Sequence, residues 1–293
     1  MVARLYSWDD AGAPLLSTAN DGSLLTILKN CLVDGYGTRT PAGWTMPYID
    51  VGLRKGVFKP GLGNEVYLWL NDNISYNCAE VRGYGAMTDI DTGTEEFPRD
   101  LDLASLSYTL YAPKRLKNTS GYERWFVVAS EEWFYFWSPD FVGSYPSGFF
   151  FGKMNMVDSA YPNPYLLTGY SSTVPLTTSG YQYSFPLYST SGDWWLKSNY
   201  FNTGFPEELK LISVPSTYSN PNPITGSLDV AIEWLADSTS KIYYGNQPNR
   251  FKALGSAVYI FLQNKKIVLN GKKFITSKYG GYLFIYEYDV DVG

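Results

Sequence analysis

Histidine is absent from the 293-residue chain. That absence removes the commonest general base at neutral pH, the Ser-His-Asp and Cys-His catalytic arrangements, and histidine-ligated zinc. Cysteine is nearly absent as well. Cys31 and Cys78 are too few for a disulfide framework and, without histidine, too few for a zinc site. Each reads instead as a small buried hydrophobe. Charge is scarce at 17% of residues, against about 25% in an ordinary soluble domain. Uncharged Ser, Thr, Asn, Gly and Tyr must therefore cover the surface, which suits contact more than free solution. The net charge of -5 and a pI near 4.9 leave no sequence-wide basic field for a phosphate backbone. No direct nucleic-acid binding is expected. No run reaches the ~18 apolar residues of a membrane-spanning helix, and MVARLYSWDDAGAP lacks the charged-then-apolar pattern of a secretory signal. The expectation is a protein made and kept soluble in a cytoplasm, with no membrane partner.

What is abundant is aromatic: 26 Tyr, 16 Phe and 9 Trp. Such residues favour strands, and Tyr and Trp also favour interfaces because they join a large apolar body to a polar tip. A β-rich core and a contact surface draw on the same residues, so composition alone does not separate the two. The length accommodates one large or two modest domains.

Within PLLSTANDGSLLTILKNCLVDG lies the one clear helix signal. Leu24, Leu25, Ile27, Leu28, Cys31 and Leu32 recur at helical spacing, Asp21 or Ser23 is placed to cap the start, and Gly35 to end it. The apolar stripe needs a sheet to lie on. Glycines and prolines then rule out regular structure in GYGTRTPAGWTMPY, where Trp44 is expected to anchor the loop. From residue 56 onward the pattern is strand and turn: VYLWLNDN, YNCAEVRGYG, SLSYTLYAP, ERWFVVASEEWFYFWS and GFFFGKMN. RWFVVAS and WFYFWS read as a hairpin about Glu131 and Glu132, a turn whose chemistry is not the favoured one and which leaves room for a longer loop. The stretch 156–223 is crowded with Ser, Thr, Gly, Pro and Tyr and nearly free of charge, and reads as a loop-rich insertion, an excursion of long loops with room for short strands. It either docks on another subunit or is a surface insertion with little order. Strands resume with DVAIEWLAD, AVYIFLQ, KIVLNG, KKFITS and YLFIYEYDV, and Asn270-Gly271 is the strongest short hairpin signal in the chain. No fixed-period repeat appears, which argues against a solenoid or propeller.

The expected fold is mainly β (α+β): a β-sandwich-like sheet domain with one N-terminal helix packed on it. Residues 1–155 supply the helix and sheet, 156–223 the insertion, and 224–293 the C-terminal strands that complete the β domain.

Without histidine, the carboxylates and glycines are where chemistry would have to lie. Glu131 with Glu132, or Asp193 beside Trp194 and Trp195, supply acids next to aromatic platforms, the requirement of a glycosidase. Any chain with 28 acids offers such pairs, and turn residues explain them equally. Asp89, Asp91, Gly93, Glu95 and Glu96 resemble a calcium loop, but the glycine falls one place early and Asp100 stands where a Glu is needed. A turn capped by Asp side chains accounts for the same residues. The glycines of GLRKGVFKPGLG match neither a phosphate loop nor a dinucleotide fingerprint. No catalytic, cofactor-binding or metal-ligating residue is assigned, no cofactor is expected, and the chain is read as a non-enzyme. Charge is unevenly spread. Glu80, Asp89, Asp91, Glu95, Glu96, Asp100 and Asp102 lie in 80–102, and Lys265, Lys266, Lys272, Lys273 and Lys278 in 265–278. The two stretches could meet between copies, or be ordinary solvated faces.

Two stretches carry a resemblance. PLLSTANDGSLLTILKNCLVDGYGTRTPAGWTMPY resembles the opening of a family of bacteriophage virion proteins, with its Gly-Ser-Leu helix, Cys-Leu-Val-Asn/Asp-Gly-Tyr-Gly helix end and Ala-Gly-Trp-Thr-x-Pro loop. AEVRGYGAMTDIDTGTEEFP is similar to that family's Arg-Gly-Tyr-x-x-Met-x-Asp-x-Asp-Thr-Gly-Thr motif. Weaker similarity runs through WFVVASEEWFYF and FFFGK, so the resemblance covers about residues 4–155. It implies a structural subunit of the neck, collar or tail of a tailed phage, found in the virion after synthesis in the host bacterial cytoplasm. It implies no catalytic residues. Cys31–Gly37, Trp44 and Arg82–Gly93 are then structural: glycines for turns, Trp44 for burial, Asp89 and Asp91 for a capped turn. The expected partners are copies of the chain, arranged as a ring, and other neck or tail proteins, with Trp194, Trp195, Tyr200 and Phe201 as interface residues. The alternative is a carbohydrate-binding receptor or tail-fibre module, for which sugar rings would stack on a Trp/Tyr-lined groove.

Overall fold

A computed structural model of the chain describes residues 2–17, 22–62, 66–73, 78–96, 109–113, 122–138 and 148–153, and beyond these, largely as backbone pairing, 155–156, 165–167, 169–172, 184–185, 194–196, 209–213, 233–237, 243–246, 251–254, 266–269, 271–279 and 282–289. Strands make up 52% of the chain, with one short helix, so the protein is mainly β. A five-stranded antiparallel sheet runs in the order Arg4–Ser7, Phe126–Ala129, Trp133–Trp137, Gly148–Lys153 and Tyr165–Leu167. A seven-stranded antiparallel sheet runs Ser184–Phe185, Gly169–Ser172, Thr109–Pro113, Cys78–Tyr84, Tyr67–Asn71, Lys55–Lys59 and Thr45–Asp50. The Ser/Thr/Tyr-rich stretch thus contributes Tyr165–Leu167 to the first sheet and Gly169–Ser172 and Ser184–Phe185 to the second. A third sheet joins Asn155–Met156, Tyr243–Asn246, Glu233–Asp237, Leu209–Ser213 and Trp194–Leu196, and a fourth joins Phe251–Leu254, Tyr282–Tyr288, Lys272–Tyr279 and Lys266–Leu269. In the fourth, Leu269 pairs with Lys272, so the Asn-Gly signal marks a hairpin; Gly271 has φ 75, and Asn270 lies outside the described residues.

One apolar cluster gathers the helix and both larger sheets. Leu24, Ile27, Leu28, Cys31 and Leu32 meet Phe58, Leu68, Leu70 and Val81 from the seven-stranded sheet, and Val127, Phe134, Phe136, Phe149 and Phe151 from the five-stranded one. Side chains alternate along a strand, yet Val128, Trp133, Tyr135, Trp137 and Phe150, outside that cluster, are buried too. The five-stranded sheet is therefore buried on both faces, which its nearly unbroken apolar runs require. Phe126 and Trp137 face each other in register and stack with ring centroids 5.2 Å apart. The aromatics of 125–137 and 149–151 are core.

The helix, Ser23–Lys29, passes into a π-helical turn, Asn30–Asp34, closed by the Gly35 amide donating to Asn30 O at 2.8 Å. Gly35 ends it as its position predicts: φ is 81, and a Cβ there would lie 2.5 Å from Arg39 O. The cap differs from the expectation. Ser23 turns its hydroxyl to Ser17 O, and Asp21 lies outside the described residues. The acceptor is Asp72, at the end of strand Tyr67–Asn71 and fully buried, whose Oδ2 takes the Leu24 and Leu25 amides at 2.9 and 3.2 Å. The Asp72 backbone is held too, by the Arg54 carbonyl and the Gly22 amide. At the other end, the Cys31 carbonyl accepts from Ala42, and the Leu32 carbonyl accepts from Gly43 and Trp44, at 2.9, 3.1 and 2.9 Å. Trp44 anchors its loop as expected: its Nε1 donates to Ser130 O at 2.6 Å, and its ring packs edge-on against Phe134.

Beside the helix end, the buried Asp10 carboxylate pairs with Arg39 and accepts from Tyr36 Oη at 2.8 Å and Ser7 N at 2.9 Å. Tyr6 Oη donates to Thr40 O at 2.8 Å. Burial, together with the neighbouring Cys31 and Asp10, pushes the Tyr6 and Tyr36 phenols above their ordinary value, and burial does the same to the Cys31 thiol. The chain ends also meet: Ala3 N donates to Asp289 Oδ2, and Asp289 N to Ala3 O, both at 2.9 Å.

Replacing Asp72 by Ala strips an acceptor from two helix amides in a dry site and should lower stability by about 2–3 kcal/mol in urea melts. Asp72→Asn keeps one oxygen and should lose less; equal loss in both would overturn the capping role. The raised phenols give a second expectation. A folded-state pKa above the unfolded value near 10 leaves stability intact below that pH and erodes it as pH rises further. Ultraviolet titration of the native chain should show tyrosines that fail to ionise in this range, fewer in a Tyr6→Phe/Tyr36→Phe variant.

Candidate functional site

The second face of the seven-stranded sheet carries a cluster of aromatic, cationic and acidic side chains. It arises from strand alternation: Phe58, Leu68, Leu70 and Val81 enter the main core, so Val57, Tyr67, Trp69, Arg82 and Tyr84 fall on the opposite side. Register places Tyr48, Val57, Trp69 and Arg82 in one cross-strand row, with Tyr67 beside Tyr84. The chain then folds back through Gly85 into the hairpin Ala86–Asp89/Thr92–Thr94, which lays Met87 and Ile90 over this face. Gly93 packs so closely on Tyr84 that a Cβ would meet Cδ1 at 2.6 Å.

Two cations approach the Trp69 ring, with Lys55 Nζ 5.7 Å and Arg82 Cζ 6.0 Å from its centroid. Those cations are in turn held by acids. Arg82 donates to Glu80 Oε1 through Nε at 3.1 Å and Nη2 at 2.9 Å, and pairs with Glu96 through Nη1. Lys55 Nζ reaches both oxygens of Asp91 at 2.7 Å. Burial disfavours charge on Arg82, but Glu96 and then Glu80 more than offset it and hold its pKa above the ordinary arginine value. Lys59 covers the Tyr67 ring at 5.3 Å. Cations thus lie against the Trp69 and Tyr67 rings. Three acids of the acidic stretch, Glu80, Asp91 and Glu96, are paired with cations of the same sheet.

Asp89 caps a turn, its Oδ1 accepting Ile90 N at 2.7 Å; Asp91, expected to do the same, is an ion-pair partner of Lys55 instead. Asp100 and Asp102 lie outside the described residues. In the basic stretch, Lys266 and Lys272 are exposed on the hairpin closed by Gly271. Among the described residues no group of three or more His, Cys, Asp or Glu is placed to hold a metal ion.

Glu131 and Glu132 form a two-residue hairpin turn, with Ser130 N donating to Trp133 O at 2.8 Å. The turn is held from outside, which is why unfavoured residues suffice. Glu131 O accepts from Gly61 and Leu62, Glu132 O accepts from Lys153 N, and Glu132 Oε1 accepts from Lys153 Nζ at 3.1 Å. Asp193 lies outside the described residues.

Of the predicted interface residues, Trp194 and Trp195 sit in Trp194–Leu196, the last strand of its sheet, opposite Leu211 and Lys210. Tyr200 and Phe201 lie outside the described residues. One surface escaped the sequence reading. Strand Thr45–Asp50 ends the seven-stranded sheet, and the tip it leads into exposes Ile49 at 42%, Val51 at 77% and Leu53 at 46%. The signal was there in IDVGL, where Asp50 and Gly52 make a turn whose other residues are apolar. Pro47, in the irregular register between Thr45 and Tyr48, removes a donor from this open edge.

No protein-family model matches the chain, and no curated protein matches it.

Arg82→Met should cost about 1–3 kcal/mol, because Glu80 and Glu96 lose their shared partner at a half-buried site. Arg82→Lys should recover only part of this, since an ammonium cannot reproduce the fork. Urea melts of the two variants check it; full recovery by Lys would show that charge alone matters.

Proposed function

We propose that the chain is a structural subunit of a bacteriophage particle, at the neck or collar or along the tail, working by assembly with copies of itself and with neighbouring virion proteins. The observation that supports this reading most is the use made of the two motif stretches. Cys31 and Leu32 supply carbonyls to the Ala42–Trp44 loop, Gly35 closes the helix, and Trp44 ties it to Ser130. Arg82, Tyr84, Met87 and Gly93 cover the second face of the seven-stranded sheet. Residues used in this way hold a shape rather than turn over a substrate, which suits a particle component. At that face the Trp69 ring is buried against Lys55 and Arg82, which weighs against its use as a sugar platform.

Ring formation follows where head-to-tail contacts close on themselves. We assign the contact to the neighbourhood of Trp194, Trp195, Tyr200 and Phe201, because a terminal strand offers unpaired backbone groups to another chain. Mass photometry of the purified chain near micromolar concentration should show a closed oligomer, and an antibody to 156–223 should label the neck or tail of virions in negative stain. Changing Trp194, Trp195 and Tyr200 to Asp should abolish assembly while circular dichroism stays native. Normal assembly by that folded variant would remove the assigned contact. A monomer that binds sugars on a glycan array, or label at fibre tips, would overturn the neck or tail reading.

A further inference from the structure

We draw no further inference here: the strongest candidate, the exposed apolar tip formed by Ile49, Val51 and Leu53 beside the open edge strand Thr45–Asp50 of the seven-stranded sheet, carries nothing because nothing in the structure shows what covers it.

Discussion

A short helix buried between two sheets must find partners for the amides at one end and the carbonyls at the other, because water is not there to supply them. In this chain the Asp72 carboxylate meets the first need and the Ala42–Trp44 backbone the second. Both partners adjoin strands, Asp72 after Tyr67–Asn71 and Trp44 before Thr45–Asp50, so satisfying the helix also fixes its position. Asp72 ends a strand of the seven-stranded sheet, and Trp44 reaches from the other helix end to Ser130 in the five-stranded sheet. The apolar stripe alone would let the helix slide or rotate on a flat surface. The directional bonds at its two ends remove that freedom.

The aromatics divide between two jobs with different physics. In the five-stranded sheet they fill space on both faces, each buried ring worth roughly 1.5–3 kcal/mol, and cross-strand pairs such as Phe126 with Trp137 set the packing. In the seven-stranded sheet the main core is largely aliphatic, and the aromatics gather on the other face under cations. Among the described residues a small hairpin covers this face, and a Trp ring beside Lys55 and Arg82 lets charged side chains add to the cover while their heads pair with acids. The low charge content makes this economy visible: several of the chain's few charged residues are engaged at this one place.

That allocation shapes the functional proposal. Assembly requires a shape that survives contact forces and a surface with little charge to desolvate. The helix lock and the covered sheet face supply the first, and the sparse charge of 156–223 favours the second. Particle location and ring closure are properties of the proposed assembly, tested on virions rather than on the isolated fold.

By itself, the sequence determined what depends on neighbours along the chain. Apolar spacing placed the helix and Gly35 its end. Aromatic and β-branched runs placed Tyr67–Asn71, Cys78–Tyr84, Thr109–Pro113, Phe126–Ala129, Trp133–Trp137 and Gly148–Lys153, and Asn270-Gly271 placed a hairpin. Arg4–Ser7 gave no such signal, and Thr45–Asp50 is a strand where glycines and prolines argued against regular structure, because pairing with Lys55–Lys59 decides it. Trp44 announced itself as an anchor because so large a side chain in a Gly/Pro loop must be buried somewhere. Tertiary structure decided whatever joins distant residues. Asp72, rather than Ser23, takes the first helix amides, and Lys55, rather than a turn amide, takes Asp91. The Glu131-Glu132 turn is rescued by Lys153 and by the amides of Gly61 and Leu62. Local spacing has no access to these pairings, because a hydrogen bond or ion pair depends on separation in space, and only the register of the sheets brings those residues within reach of one another.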